Sequence, residues 1–237
     1  MTSVRQRAAL LAVVALASAA LVSAARAACG DGSGDRPVYL TFDTGHMGIA
    51  PLVADVLSRQ QVKATFFLAD QRTTTGGTSL DDDWVPWWTA RAAEGHAFGA
   101  LDRSGSPAQV CVESKAIADR FHQLTGRTMP KIFRLAAGKP TPQLVAAAEG
   151  CDWVNVKGAV SLGDDVVNRK VTNKQLLQRA LRDVRPGDVL LAHLGTWPRK
   201  DAWAPANLAP LIEGLKARGM CFATLREHPA YRAQFSW

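Results

Sequence analysis

Short apolar segments alternate with helical patterns along almost the whole chain, and this alternation constrains the fold more than any other feature. The strand candidates are residues 38–42, 63–69, 96–101, 131–135, 153–157, 188–194 and 220–225. Their apolar residues mostly follow one another without a polar residue between them. Strands of this kind are buried on both faces, which is typical of a parallel sheet covered by helices. The sequence therefore predicts an α/β fold.

The spacing of the strands decides between two parallel architectures. Successive candidates lie roughly 25 to 35 residues apart, which favours a single-domain (β/α) barrel. A doubly wound open sheet is the alternative, but it needs a glycine-rich phosphate turn after its first strand. Residues 42–48 read FDTGHMG and do not form that G-x-G-x-x-G motif. In both architectures the functional residues lie at the carboxyl ends of the strands.

The N-terminus has the features of a secretory signal. Two arginines precede an apolar stretch, residues 8–22, and Ala-Arg-Ala ending at residue 27 supplies a cleavage site. The stretch is too short and too rich in alanine to favour a membrane span, although a retained anchor is the alternative. We expect residues 1–27 to be a cleaved signal and residues 28–237 to form a periplasmic or secreted domain.

Net charge bears on whether the protein binds nucleic acid, and the cysteines bear on whether it forms disulfides. The expected signal carries three arginines and no acid, so its removal lowers the net charge from +7 to +4. This modest excess, without a run of Lys and Arg, does not favour nucleic acid as a partner. All four cysteines follow the expected cleavage site, and an even number in an exported chain favours disulfides.

Six polar residues lie at expected carboxyl ends of strands: Asp43, His46, Asp70, Asp102, Arg134 and His193. A carboxylate (Asp43) and an imidazole (His193) at neighbouring strand ends suit a base and an acid for hydrolysis. Arg134 would orient the carboxylate or steady an oxyanion. Each also has a structural interpretation, with Asp43 as a helix cap and His193 as a core histidine. Their joint placement favours the functional interpretation.

Four motifs resemble, in order, those of the polysaccharide deacetylases, which include chitin and peptidoglycan deacetylases. LTFDTGH (40–46) resembles the first motif, Thr-Phe-Asp-Asp, and AAEGHAFG (92–99) is similar to the stretch leading into the second. FRLAAG (133–138) resembles the third, Arg-x-Pro-x-Gly, and PGDVLLAHLG (186–195) the last, Leu-x-His. The resemblance spans essentially the whole chain after the signal and implies a distorted (β/α)7 barrel.

The resemblance also implies a chemistry. Asp43 matches the family's catalytic base, His193 its catalytic acid and Arg134 the arginine that holds the base. In the family, a metal-bound water attacks an N-acetyl carbonyl on a glycan, the base takes its proton, and the histidine protonates the leaving amine. The implied partner is a glycan or another N-acetylated substrate; the oligomeric state stays open.

The family's metal ligands are missing from this chain. Its second aspartate is Thr44 here, and the two histidines of its second motif fall on Leu101 and Gly105. Leucine and glycine have no donor atom, and threonine is a poor ligand for zinc. We therefore expect no cofactor, unless a divalent metal such as zinc binds at a rebuilt site. The candidates for such a site are His46, Asp70 and Asp102.

Loops beyond the strand ends supply further candidates. Asp164, next to Asp165, follows the fifth strand and is expected to pair with Arg134. Three residues follow the last catalytic strand and are expected to bind substrate: Trp197, Arg199 and Lys200. Residues 73–88 contain three acids and three tryptophans, for which sugar binding and helix packing are both open.

Three functional hypotheses follow. The leading one is an exported deacetylase-type hydrolase of the carbon–nitrogen (N-acetyl amide) bonds of a glycan, with a place in carbohydrate metabolism. The second is a catalytically inactive glycan-binding descendant, because a fold is inherited more readily than an activity. The third is a metal-independent amidohydrolase in which Asp43 or His193 activates water directly.

Four cysteines allow three disulfide pairings. In a barrel the first and last strands are neighbours; Cys29 precedes the first and Cys221 begins the last. A Cys29–Cys221 bond would tie the two ends of the chain, where fraying would otherwise start. Cys111 and Cys151 are then the default second pair.

Overall fold

Strands alternate with helices through the part of the chain that the computed structural model describes, namely residues 29, 36–136, 140–157, 159–163, 171–196 and 206–235. The strands there are β1 Pro37–Asp43, β2 Thr65–Leu68, β3 Ala97–Asp102, β4 Ile132–Leu135, β5 Val154–Asn155, β6 Val160–Ser161, β7 Val189–His193 and β8 Cys221–Ala223. The α-helices are α1 Ala50–Arg59, α2 Val85–Ala93, α3 Val110–Thr125, α4 Pro142–Glu149, α5 Asn173–Asp183 and α6 Leu208–Ala217. All seven predicted strands are present, and β6 is an additional short one.

The strands form one parallel sheet in the order β5-β4-β3-β2-β1-β7-β6, and β8 pairs with the amino-terminal half of β1. The edge strands β5 and β6 follow one another in sequence but pair with β4 and β7 respectively. The sheet therefore curves into a barrel that is open between β5 and β6. This architecture confirms the predicted distorted α/β barrel.

Alternation along the strands creates two apolar layers. The inner cluster, inside the barrel, includes Tyr39, Phe67, Leu101, Ile132 and Val189. The residues between them, such as Leu40 and Phe42 of β1, pack against the helices. Because successive side chains of a strand point to opposite faces, Thr41 and Asp43 share the inner face with Tyr39. Covering on both faces explains why the strands are apolar without alternation.

Local signals in the sequence set the helix ends. The Thr141 hydroxyl accepts a hydrogen bond from the Leu144 N–H at the start of α4. Thr172 and Gln175 form a capping box at the start of α5, and α3 ends at Gly126, whose φ is +68°. The helix starts lie at the carboxyl ends of the strands, where the candidate site lies, whereas the end of α3 leads into the amino end of β4.

Two disulfides, Cys29–Cys221 and Cys111–Cys151, confirm the predicted pairing. The first joins the chain ahead of β1 to β8, and the second joins the first turn of α3 to the residue just beyond the end of α4. Within the described ranges, no helix is both long and apolar enough to cross a membrane. The expected signal, residues 1–27, lies outside the described residues, so the domain boundary stays a prediction.

Candidate active site

A buried ion pair occupies the carboxyl-terminal end of the barrel. Arg134, on the inner face of β4, donates from Nη1 to Oδ1 of Asp43 at 2.7 Å and from Nη2 to the Thr41 hydroxyl at 2.9 Å. Thr41 in turn donates to the carbonyl oxygen of Leu190 at 2.7 Å. The guanidinium carbon lies 4.2 Å from the centre of the Phe67 ring, a cation–π contact. The arginine therefore spans the barrel interior and fixes the Asp43 carboxylate.

His193 lies next to Asp43 across the sheet. The two residues are register partners in the β1–β7 pairing, and the Leu194 N–H donates to the Asp43 carbonyl oxygen at 2.9 Å. Register partners in parallel strands direct their side chains to the same face. A half-buried imidazole and a buried carboxylate therefore share the inner rim of the barrel.

Thr44 lies at the position of the family's second aspartate, and its side chain hydrogen-bonds to the backbone of β2 and of the loop after it. Its hydroxyl donates to the Phe67 carbonyl oxygen at 2.9 Å and accepts from the Ala69 N–H at 3.2 Å. These bonds join the end of β1 to the end of β2. The Thr44 oxygen thus has a structural role that competes with metal ligation.

The second-motif positions supply no ligand either. Leu101 is buried in the inner cluster, in register with Arg134. Gly105 has a φ of +58°, in the left-handed region. Asp102 falls on the opposite face of β3 by alternation. Its carboxylate accepts hydrogen bonds from the Ser104 N–H (3.1 Å), the Ser104 hydroxyl (2.6 Å) and the Gly105 N–H (3.3 Å), so Asp102 organises the turn after β3.

His46 and Asp70 do not complete a metal site with Asp102. Nδ1 of the His46 ring accepts a hydrogen bond from the Gly48 backbone N–H (3.0 Å). The backbone N–H of His46 donates to the Gly195 carbonyl oxygen (3.0 Å). Asp70 is exposed just beyond β2. The described residues contain no group of three or more His, Cys, Asp or Glu side chains that could hold a metal ion. Within the described part of the chain, these three residues therefore do not form the rebuilt site that the sequence left as an alternative.

The structure adds residues that sequence reasoning did not select. Thr41 holds Arg134, and Leu191 lies two positions before His193 on the inner face. The two-residue spacing was the available signal, because alternate strand residues share a face. Four predicted site residues lie outside the described residues: Asp164, Trp197, Arg199 and Lys200.

The loop after β2 leads to an aromatic surface, here named the tryptophan groove. It has a volume of about 570 Å³, and its lining includes Thr75, Asp83, Trp84 and Trp87. The neighbouring Thr74 N–H donates to the His46 carbonyl oxygen at 3.0 Å, so the groove adjoins the loop that follows Asp43. Trp88, in contrast, is fully buried on the inner side of α2 and contacts Phe66 and Phe98. Trp84 and Trp87 therefore line an accessible surface, whereas Trp88 packs in the core.

His96, in the Gly-His stretch, is a structural histidine at the opposite end of β3. Its Nδ1 accepts the Ala64 N–H at 3.0 Å, and its Nε2 lies 3.2 Å from a Glu94 carboxylate oxygen. Burial of the ring lowers the pKa of His96 to about 4. The neutral ring at pH 7 links the starts of β2 and β3.

Comparison with known proteins identifies the family. A sequence model of polysaccharide deacetylases matches residues 30–156, more than half of the chain. The chain belongs to the polysaccharide deacetylase family. It is 25% identical over 199 residues to the peptidoglycan-N-acetylmuramic acid deacetylase PdaA of Bacillus subtilis (strain 168), an alignment that covers 81% of this chain and 70% of that relative.

Solved structures share the barrel. A family 4 acetyl xylan esterase from Clostridium thermocellum, in complex with a cobalt ion, is 26% identical with a TM-score of 0.69, over 83% of this chain and 91% of that one. A CE4-family pseudoenzyme from Bacillus anthracis is 18% identical with a TM-score of 0.65, over 83% of this chain and 66% of that one. The second likeness shows the fold alone.

Proposed function

We propose that this protein is an exported hydrolase of N-acyl amide bonds in a glycan, with Asp43 as the base and His193 as the acid. The observation that carries the proposal is the buried Asp43–Arg134 pair beside the register-matched His193. Family membership supports the reaction class, and the similarity to a peptidoglycan deacetylase supports a glycan amide as the substrate.

The proposed reaction uses only side chains of this chain. Asp43 removes a proton from a water molecule as the water oxygen attacks the amide carbonyl carbon. Protonated His193 donates its proton to the amine nitrogen as the carbon–nitrogen bond breaks, which releases a carboxylic acid and an amine. Arg134 keeps the carboxylate in place and is too weak an acid to be the proton donor.

No step is assigned to a metal ion, because Thr44, Leu101 and Gly105 do not fit the family's ligand set. Thr44 is bonded to β2, Leu101 is an apolar core residue, and Gly105 has no side chain. Direct activation of water by Asp43 is the mechanism that these residues support.

Export has two supports. The N-terminal sequence has the composition of a secretory signal. The two disulfides match an oxidising compartment, where such bonds persist. Both observations support a periplasmic or secreted location. Mass spectrometry of the mature N-terminus, after expression in a host with an envelope, measures the cleavage directly.

Acetate release from chitooligosaccharides and peptidoglycan fragments tests the activity. We expect release in the presence of a chelator, no gain from Zn²⁺ or Co²⁺, and loss of release in Asp43→Asn. Asp119→Asn, at an exposed carboxylate of α3, is the matched control and should keep full activity. A folded protein that releases no acetate with or without metal refutes the hydrolase.

Glycan binding without hydrolysis is the second candidate, and the lack of donor side chains at Leu101 and Gly105 favours it. One solved structure with the same fold is that of a pseudoenzyme, and this likeness concerns the fold alone. In this case chitooligosaccharide binding persists in Asp43→Asn and falls in Trp84→Ala, while no acetate appears. Calorimetry and acetate measurement on the same preparations separate the two candidates.

A further inference from the structure

A second groove begins inside the barrel and runs outwards to α4. Its volume is about 700 Å³, within the range of small-molecule binding sites. Arg134 and Leu191 line it at the inner end, and Val145 and Ala146 line it on α4. It lies beside β5, where the sheet is open towards β6. We refer to it as the α4 groove.

The α4 groove adjoins the candidate active site. Arg134 lines the groove and also donates to Asp43 at 2.7 Å. Leu191 lines it too, and it precedes His193 by two residues on the same inner face. A substituent of an amide held between Asp43 and His193 can therefore extend into the groove.

Most residues that line the groove are apolar and aliphatic, and the polar ones among them are Arg134, Glu149, Asn155 and Lys157. Val145, Ala146, Val156, Ala159 and Leu191 are among its lining residues, and none of the described residues that line it is aromatic. Sugar rings are commonly held against aromatic faces, and the rim of this barrel provides those at the separate tryptophan groove. The α4 groove instead suits a flexible hydrocarbon chain, which gains affinity from burial in proportion to its length.

The size of the groove also exceeds what an acetyl group needs, since one methyl group fills only a small part of 700 Å³. We propose that the α4 groove binds an aliphatic acyl chain longer than acetyl, carried on the amide nitrogen of the glycan substrate. This inference rests on the proposed function for the amide but makes a separate claim about chain length.

Binding of N-acylglucosamines with acetyl, butanoyl and hexanoyl groups tests the claim by isothermal titration calorimetry. We expect affinity to rise by up to about four-fold for each methylene that enters the groove. Ala146→Trp, at an exposed position of α4, places bulk in the groove and should flatten this dependence. Leu52→Trp, at an exposed position of α1, is the control and should leave the dependence unchanged.

Equal affinity for all three probes overturns the proposal, and so does a chain-length dependence that survives in Ala146→Trp. Release of the glucosamine amine, measured in parallel, reports on the proposed function separately. Chain-length-dependent binding without amine release supports the groove and contradicts the hydrolase. Amine release from the acetyl probe with flat binding supports the hydrolase and contradicts the groove.

Discussion

Replacement of Arg134 by methionine should strongly destabilise the fold, because it leaves the Asp43 carboxylate buried without its cation. The two residues are 5% and 2% exposed, so water cannot replace the lost partner without rearrangement. Removing one member of a buried pair costs about 3–5 kcal/mol. Methionine keeps much of the apolar volume of the arginine stem, which limits the additional cost of a cavity.

Arg134 makes two further contacts that the substitution would also remove. The guanidinium also donates to the Thr41 hydroxyl and covers the Phe67 ring. We therefore expect a loss of about 4 kcal/mol in the free energy of unfolding, a large fraction of the 5–15 kcal/mol typical of a domain. The double variant Arg134→Met/Asp43→Asn removes both charges and should recover about 2 kcal/mol of this loss.

Urea denaturation at pH 7, followed by tryptophan fluorescence, measures these differences. Arg59→Met is the matched control, because the side chains of Arg59 and its partner Asp55 are 68% and 54% exposed. Exposed pairs contribute roughly 0–1 kcal/mol, so this control should be nearly neutral. If Arg134→Met costs no more than Arg59→Met, or if the double variant is no more stable than Arg134→Met, the reasoning about a buried, coupled pair is wrong.

Three other perturbations test separate parts of the structure. The pKa of His96 is lower in the folded chain, about 4, than its ordinary value near 6.5, so the unfolded chain binds more protons between these values. Stability should therefore fall by up to roughly 3 kcal/mol as the pH drops from 6.5 to 4, and His96→Gln should weaken this acid sensitivity in denaturation curves at each pH. Replacement of Cys111 and Cys151 by alanine opens a loop with a sequence separation of 40 and should cost up to about 4 kcal/mol; an unchanged urea midpoint would contradict this. Trp84→Ala should weaken chitooligosaccharide binding about ten-fold in calorimetry if sugar stacks in the tryptophan groove, and equal affinity would assign Trp84 to packing alone.

Much of the fold was predictable because its signals are local. Uninterrupted apolar runs mark strands that are buried on both faces, and their spacing leaves room for one helix between neighbours. The last strand pairs with the first in the curved sheet, as expected for a barrel, which is why the Cys29–Cys221 bond could be predicted from sequence order. The rule that parallel barrels place function at strand ends selected Asp43, Arg134 and His193 before any contact was known.

The contacts of those residues required the tertiary structure. Arg134 and Asp43 are 91 positions apart in the sequence. Only the curvature of the sheet brings the Arg134 guanidinium into contact with the Asp43 carboxylate. The hydrogen bonds of Thr44 to β2 and of Asp102 to its turn also depend on strand register. A register shift of one residue would reverse which side chains point inwards. The sequence alone determined the strands, the helices and the missing ligands, because each is written in residue type and spacing. The tertiary structure decided the ion pair and the α4 groove, because each joins side chains from segments that meet only when the sheet curves. The tryptophan groove is local, since its lining lies within residues 75–91.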